Sequence, residues 1–201
     1  MRPWKKVWVA ALFLPCALFA GCADKKAAET LYVKALERYD KKDLNAALAF
    51  IEQSAKCDKN DERAKFLKAK IHFFQGRYEA AAEILLDLKK AKSDQKDIQL
   101  YLIKSLILDK KTERASEEIK SALQNDRGDW RLYRLASIVA AKEGNAEERM
   151  SALNQAARAL EGSSEIYFDL ANLWESLGVH SKAEEFKEKC LALDKGMAEL
   201  F

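Results

Sequence analysis

Enzymatic chemistry rests on nucleophiles, acids, bases or metal ligands held at useful spacings, and this 201-residue sequence offers few such groups. A transition-metal site needs His, Cys, Asp or Glu gathered at ligand spacing. The two histidines, His72 and His180, have no such company in sequence. Gly-rich phosphate loops, HExxH and the Gly-x-Ser-x-Gly elbow are all absent. The carboxylates are scattered as Glu/Lys pairs along polar faces. No catalytic residue, metal or cofactor is therefore expected. The cysteines are Cys16, Cys22, Cys57 and Cys190. Of these, Cys22 alone stands where its surroundings invite modification, directly after two small residues that end an apolar run.

That run is the core of an N-terminal leader. Arg2, Lys5 and Lys6 form a positive start, and Val7 to Ala20 supply 14 mostly apolar residues. The run suits a signal peptide and falls short of the roughly 20 residues that span a bilayer. Leu18-Phe19-Ala20-Gly21-Cys22 resembles the lipobox of bacterial lipoproteins, with Phe19 where Leu is usual. The resemblance implies cleavage after residue 21, acylation of Cys22 and a short tether over residues 22–27. Each buried acyl methylene contributes about 0.8 kcal/mol, so two or three chains anchor firmly where one does not. An ordinary secretory signal cut near Gly21, or a retained transmembrane helix, are the alternatives. Ala23, and not Asp, follows the cysteine. By the enterobacterial sorting rule this leans toward the periplasmic face of the outer membrane. The tether reaches at most about 20 Å, which keeps the rest of the chain near the bilayer.

Removal of the leader also changes the charge. The whole chain has 35 basic and 32 acidic residues, a net +3, and three of the basic ones are Arg2, Lys5 and Lys6. The remainder balances, which gives no electrostatic footprint for nucleic acid. Lys89, Lys90 and Lys92, and Lys110 with Lys111, read as solvated helix ends and turns.

The elements that must position everything else repeat. Steps of 34 residues back from Gly178 reach Gly144, Lys110, Gly76 and Lys42, each in a polar break between apolar runs. The same steps from Ala183 give Arg149, Ala115, Ala81 and Ala47; from Ala171 they give Ser137, Ile103, Ala69 and Ala35. Small residues at fixed places mark where helices approach closely. Five units of two helices each follow, over 28–61, 62–95, 96–129, 130–163 and 164–194, with a tail over 195–201. Cys57 and Cys190 fall in the first and last units, too far apart for the roughly 4.4–6.8 Å Cα separation of a disulfide.

This period resembles the tetratricopeptide repeat. Tyr167, Leu170, Ala171 and Trp174 stand at the family's W-x2-L-G-x2-Y places, followed by Gly178 and Ala183. The family's closing Pro is replaced by Lys59, Ser93, Arg127, Glu161 and Lys195, which permits longer second helices. The resemblance implies an all-α, right-handed α-solenoid whose first helices line a concave side. Its exposed places there would be Tyr32, Phe66, Leu100, Arg134 and Phe168, then Tyr39, Phe73 and Ile107, then Phe74 and Leu108. The first three units thus offer an apolar, aromatic floor, and Arg134, Lys142 and Glu175 add charge beyond it. The Lys/Asn clamp by which some relatives grip a terminal carboxylate is missing, since Tyr32 and Leu36 occupy its places in the first unit.

The expected function is a membrane-anchored periplasmic scaffold that docks an envelope protein in this groove, as in envelope, secretion or pilus assembly. The alternative is binding of a small hydrophobic ligand or lipid, with a solute transporter as associate. A closed cavity would favour the latter and an open channel the former. The short tail, with Met197, Leu200 and Phe201, either folds back on the last unit or leaves a face for a homodimer.

Overall fold

The computed structural model describes residues 25–91, 96–160 and 163–200, the last three by backbone alone. The leader and Cys22 lie outside the described residues. Ten α-helices occupy them and no strand does: α1 (Lys25–Asp40), α2 (Leu44–Cys57), α3 (Glu62–Phe74), α4 (Tyr78–Lys90), α5 (Lys96–Leu108), α6 (Thr112–Asn125), α7 (Trp130–Lys142), α8 (Ala146–Ala159), α9 (Ser164–Ser176) and α10 (His180–Leu193). A short 3-10 turn, Lys195–Leu200, packs on α10. None of the described helices is long and apolar enough to cross a membrane. Helix α1 starts at Lys25, so the last three residues of the expected tether are already helical.

The break inside each unit has one cause. Lys42, Gly76, Lys110, Gly144 and Gly178, the residues 34 apart, all take positive φ, from 60° to 75°. A left-handed residue there ends the first helix and returns the chain for the second. The next backbone N–H then reaches a carbonyl five residues back: Asp43 to Arg38, Arg77 to His72, Lys111 to Leu106, Asn145 to Ala140 and Val179 to Trp174, all at 2.9–3.0 Å. This is the Schellman closure, which satisfies carbonyls that the helix end would leave bare. The third unit, whose turn lacks glycine, closes in the same way through Lys110.

The ends of the second helices correct an expectation. Without the family's Pro they do not run on; α2, α6, α8 and α10 end in an extended residue, Asp58, Asp126, Leu160 and Asp194 respectively. Asp58 accepts from Asn60 N–H, Asp126 from Gly128 N–H and Asp194 from Gly196 N–H, at 2.9–3.0 Å. These Asx turns punctuate the repeats in place of a ring that cannot continue a helix. Asp61 and Asp129 then cap α3 and α7, and Asp43 and Asn145 cap α2 and α8. Such caps stabilise by about 1 kcal/mol each.

Small residues set the packing. Ala35, Ala69, Ile103, Ser137 and Ala171, and Ala47, Ala81, Ala115 and Ala183, are all buried. Arg149, the one departure in the second column, is only half-buried. The interior is divided along the array. One apolar cluster joins the first two units around Ala35, Ile51 and Ile71; the largest spans the middle around Leu85, Leu102 and Ile119; a third, around Leu153, Ile166 and Leu170, joins the last two. A single unit cannot bury its apolar stripe alone, so each is stabilised by its neighbours.

Curvature follows from which helices touch. First helices of neighbouring units meet directly, α1 on α3, α3 on α5 and α5 on α7, while contacts between successive second helices are marginal at most. The first helices are therefore crowded on the inner side of the arc and form its concave face.

Candidate functional site

Five helices supply that face, and the sequence places an aromatic residue toward the end of several of them. Tyr39 from α1, Phe66, Phe73 and Phe74 from α3, and Tyr101 from α5 form one continuous row. Ring centroids are 5.9 Å apart for Tyr39 and Phe74, 5.4 Å for Phe74 and Phe73, 5.3 Å for Phe73 and Tyr101, and 5.8 Å for Tyr101 and Phe66. The last three are edge-on, the arrangement favoured by the ring quadrupole and stabilising by about 0.5–1.5 kcal/mol beyond burial. Burial, followed by the nearby Tyr101 and Asp40, pushes the Tyr39 hydroxyl up to about 12. The Tyr101 hydroxyl is raised as well, by burial and then by Asp97.

Lys70 lies in the middle of this row. Its Nζ is 4.9 Å from the centroid of Tyr39, 5.8 Å from Tyr101 and 5.9 Å from Phe66, rings from three successive units. The ammonium is held by ring faces and ties the first three units together. Lys104, one repeat further on, stands 5.6 Å from Tyr101. Arg63 similarly covers Tyr32, at 5.0 Å.

Beyond the row the face opens into a trough of about 590 Å³ between α5 and α7, open on one side. Its floor is apolar, with Phe73, Ile107, Leu108, Trp130, Leu135 and Ile138. Its rim is charged, with Lys104, Arg131, Arg134, Lys142 and Glu165. The two arginines are already engaged. Arg131 is held by Asp129 at 2.7 Å, and Arg134 by Glu165 at 2.6 Å and Asp169 at 2.8 Å. Among the described residues Lys104 and Lys142 pair with no carboxylate, and both are exposed.

The expected site residues divide into four groups. Phe74, 52% exposed, and Leu108, 44% exposed, present their side chains to solvent. Tyr32, Tyr39, Phe66 and Phe73 are half-buried and pack on the apolar clusters, Phe73 also lining the trough, and Phe168 is half-buried as well. Leu100 is a correction, since at 5% exposure it belongs to the core, while Ile107, 3% exposed, is mostly core and reaches the trough only as part of its floor. The reason is that α5 is apolar almost all round, with Ile98, Leu102, Ile103 and Leu106 buried as well, and it has first-helix neighbours on both sides. A helix of that kind is interior. Arg134 sits on the face, but as the centre of an ion-pair network.

Sequence reasoning missed Tyr101, Lys70, Lys104, Trp130 and Ile138. Lys70, Lys104 and Ile138 carry a legible signal, because they are 34 residues apart and four beyond Phe66, Leu100 and Arg134. Tyr101 has none, since Leu67 stands one repeat before it. Among the described residues no three His, Cys, Asp or Glu side chains gather as metal ligands. Cys57 and Cys190 are both free thiols.

No protein-family model and no curated protein matches the sequence. Solved structures do match. TTC0263, a thermophilic TPR protein in Thermus thermophilus, is 22% identical with a TM-score of 0.68, covering 87% of this chain and 95% of its own. MamA 41-end from Desulfovibrio magneticus RS-1 is 16% identical at TM-score 0.73, covering 87% and 98%. YrrB, described as a TPR protein with an unusual peptide-binding site, is 17% identical at TM-score 0.62, covering 86% and 89%. At these identities the likeness concerns the fold, and it agrees with the five left-handed turns, the helix pairs and the concave first helices. The chain folds as a tetratricopeptide-repeat α-solenoid.

Proposed function

We propose that this protein is a lipid-anchored scaffold of the bacterial cell envelope that docks a segment of a partner protein on its concave face. The observation that carries the docking is the continuity of the aromatic row, which includes exposed Phe74, with the open trough, which exposed Leu108 helps to line. Large apolar side chains left in contact with water at the lip of an apolar trough mark an interaction surface. A trough open along one side suits a polypeptide laid across several units. The peptide-binding site named for YrrB supports the same use of the fold.

The anchor and the location rest on the leader. Removal of residues 1–21 and acylation of Cys22 would place the solenoid in the periplasm, close to a membrane, and raise its local concentration toward envelope partners. The outer membrane, and assembly of envelope, secretion or pilus components, form the setting we favour. Cys22→Ser should shift the protein from the membrane to the soluble fraction, and retention on the membrane would remove the anchor from this reading.

A second reading has its own support, because about 590 Å³ falls within the roughly 300–1,000 Å³ typical of small-ligand sites. Native mass spectrometry of protein released gently from its own membranes separates the two. A co-purifying protein that is lost in a Phe74→Ser/Leu108→Ser variant of unchanged helicity supports the scaffold. A bound lipid or apolar solute instead supports the small ligand. The structure favours these two positions over Phe66 and Phe73, whose side chains also pack on the core.

A further inference from the structure

Within the docking reading just given, on which this inference rests, we propose that the segment taken up is both apolar and acidic, with side chains in the trough between α5 and α7 and carboxylates on Lys104 and Lys142. The trough has an apolar floor, which selects for apolar groups but not for sign of charge. The sign is set by the rim. Four cationic side chains and one carboxylate surround the trough. Arg131 and Arg134 are neutralised by Asp129, Glu165 and Asp169 at 2.6–2.8 Å, with Asp97 a further 3.8 Å partner of Arg131. Lys104 and Lys142 are left exposed with no carboxylate among the described residues. Lys70, further along the same face, is likewise held by rings and not by an anion.

The rim thus keeps one cationic pair without a carboxylate partner, Lys104 and Lys142, beside arginines that are already engaged. A basic segment entering the trough would be repelled by it, and a neutral one would gain nothing from it. The chain's own leader is no complement, since residues 1–21 bring Arg2, Lys5 and Lys6 and no acid. Recognition here is also unlike capture of a chain terminus. It needs two carboxylates that flank apolar residues within the segment.

The test is a selection of random peptides on the full-length protein in detergent, followed by affinity measurement by fluorescence anisotropy. Selected peptides should combine apolar residues with Asp or Glu. They should bind Lys104→Glu/Lys142→Glu at least about tenfold more weakly, and the Gln double variant by a smaller factor. Added salt should weaken binding to the wild type more than to the Gln variant. Both lysines are exposed, so circular dichroism should be unchanged. Neutral or basic peptides whose affinity is indifferent to the Lys104/Lys142 variants, but lost with Phe74→Ser/Leu108→Ser, would overturn the acidic partner and leave the groove standing. Peptides indifferent to both pairs of variants would overturn the groove as well. A dimer of this chain that Lys104→Glu/Lys142→Glu disperses would overturn the foreign partner and assign the trough to a second copy.

Discussion

Replacing Lys42 and Lys110 by glycine should stabilise the solenoid. Both residues hold φ near 60°, in the left-handed region, at the turn where three other units use glycine. A side chain there brings Cβ against the following carbonyl, at a cost of about 1–2 kcal/mol. Glycine offsets part of that gain through its freer unfolded chain, about 0.4–1 kcal/mol. The difference leaves about 0.5–1 kcal/mol per site, or about 1–2 kcal/mol for the double variant. For a chain of this size that is about 2–8 °C in Tm. The reverse change, Gly76→Ala, should cost about 0.5–1 kcal/mol through backbone strain alone. A Cβ on Gly76 would have no atom within 4 Å, so crowding does not enter. Urea unfolding followed by far-UV circular dichroism measures both, with the slope unchanged if the unfolded state is the same. The reasoning fails if Lys42→Gly/Lys110→Gly lowers the midpoint, or if Gly76→Ala leaves it where it was.

Further outcomes test other parts of the structure. Leu102→Ala empties part of the largest apolar cluster, where Leu102 is fully buried; a loss of about 2–5 kcal/mol is expected in urea unfolding. Ser54, buried, donates its hydroxyl to the Ala28 carbonyl at 2.8 Å and ties α2 to α1. Ser54→Ala should cost about 1 kcal/mol and be read in the same assay. His72 is 8% exposed, its Nδ1 has no hydrogen-bond partner, and burial, then Lys68 and Arg77, hold its imidazole below the usual 6.5, with Glu52 opposing. The unfolded chain therefore takes up the proton first, and stability should fall as the pH drops from 6.5 toward the lower folded value. A His72→Leu variant that loses stability just as steeply over that range would refute this assignment. Cys190 is fully buried and its thiol is pushed up by burial and by Asp194. In the native protein it should resist a maleimide reagent that reaches half-buried Cys57, as peptide mass mapping of the labelled protein would show.

Much of the fold was legible because a repeat multiplies weak local signals. One left-handed turn is ambiguous in a sequence, but five breaks spaced by 34 residues are not, even where Lys replaces Gly at 42 and 110. The apolar runs on either side of these breaks form helices of 13 to 16 residues. Helix α1 begins earlier than its first apolar residues suggest, because Lys25 to Ala27 oppose a helix only weakly and Ala28 is buried. The punctuation between units was misread. Loss of Pro suggested longer second helices, whereas Asp58, Asp126 and Asp194 stop them by binding the backbone two residues on.

The groove was legible only as a set of positions. Phe74 and Leu108 share a helical face and a register, and both are exposed. Leu100 and Ile107 stand 34 residues after half-buried Phe66 and Phe73 and are themselves buried, because burial depends on the neighbours that α5 meets at the centre of the array. Arg131 finds Asp129 two residues away, but the pairing of Arg134 with Glu165 and Asp169, against the isolation of Lys104 and Lys142, is a matter of which side chains the next unit brings within reach. By itself the sequence determined the period, the helix pairs and the small residues between them, since these follow from propensity and apolar spacing within one unit. Only the tertiary structure decided which face is concave, which of its aromatic residues meet solvent, and which of its cations are left unpaired. Those depend on stacking between units, and curvature and electrostatic pairing arise only when the units are assembled.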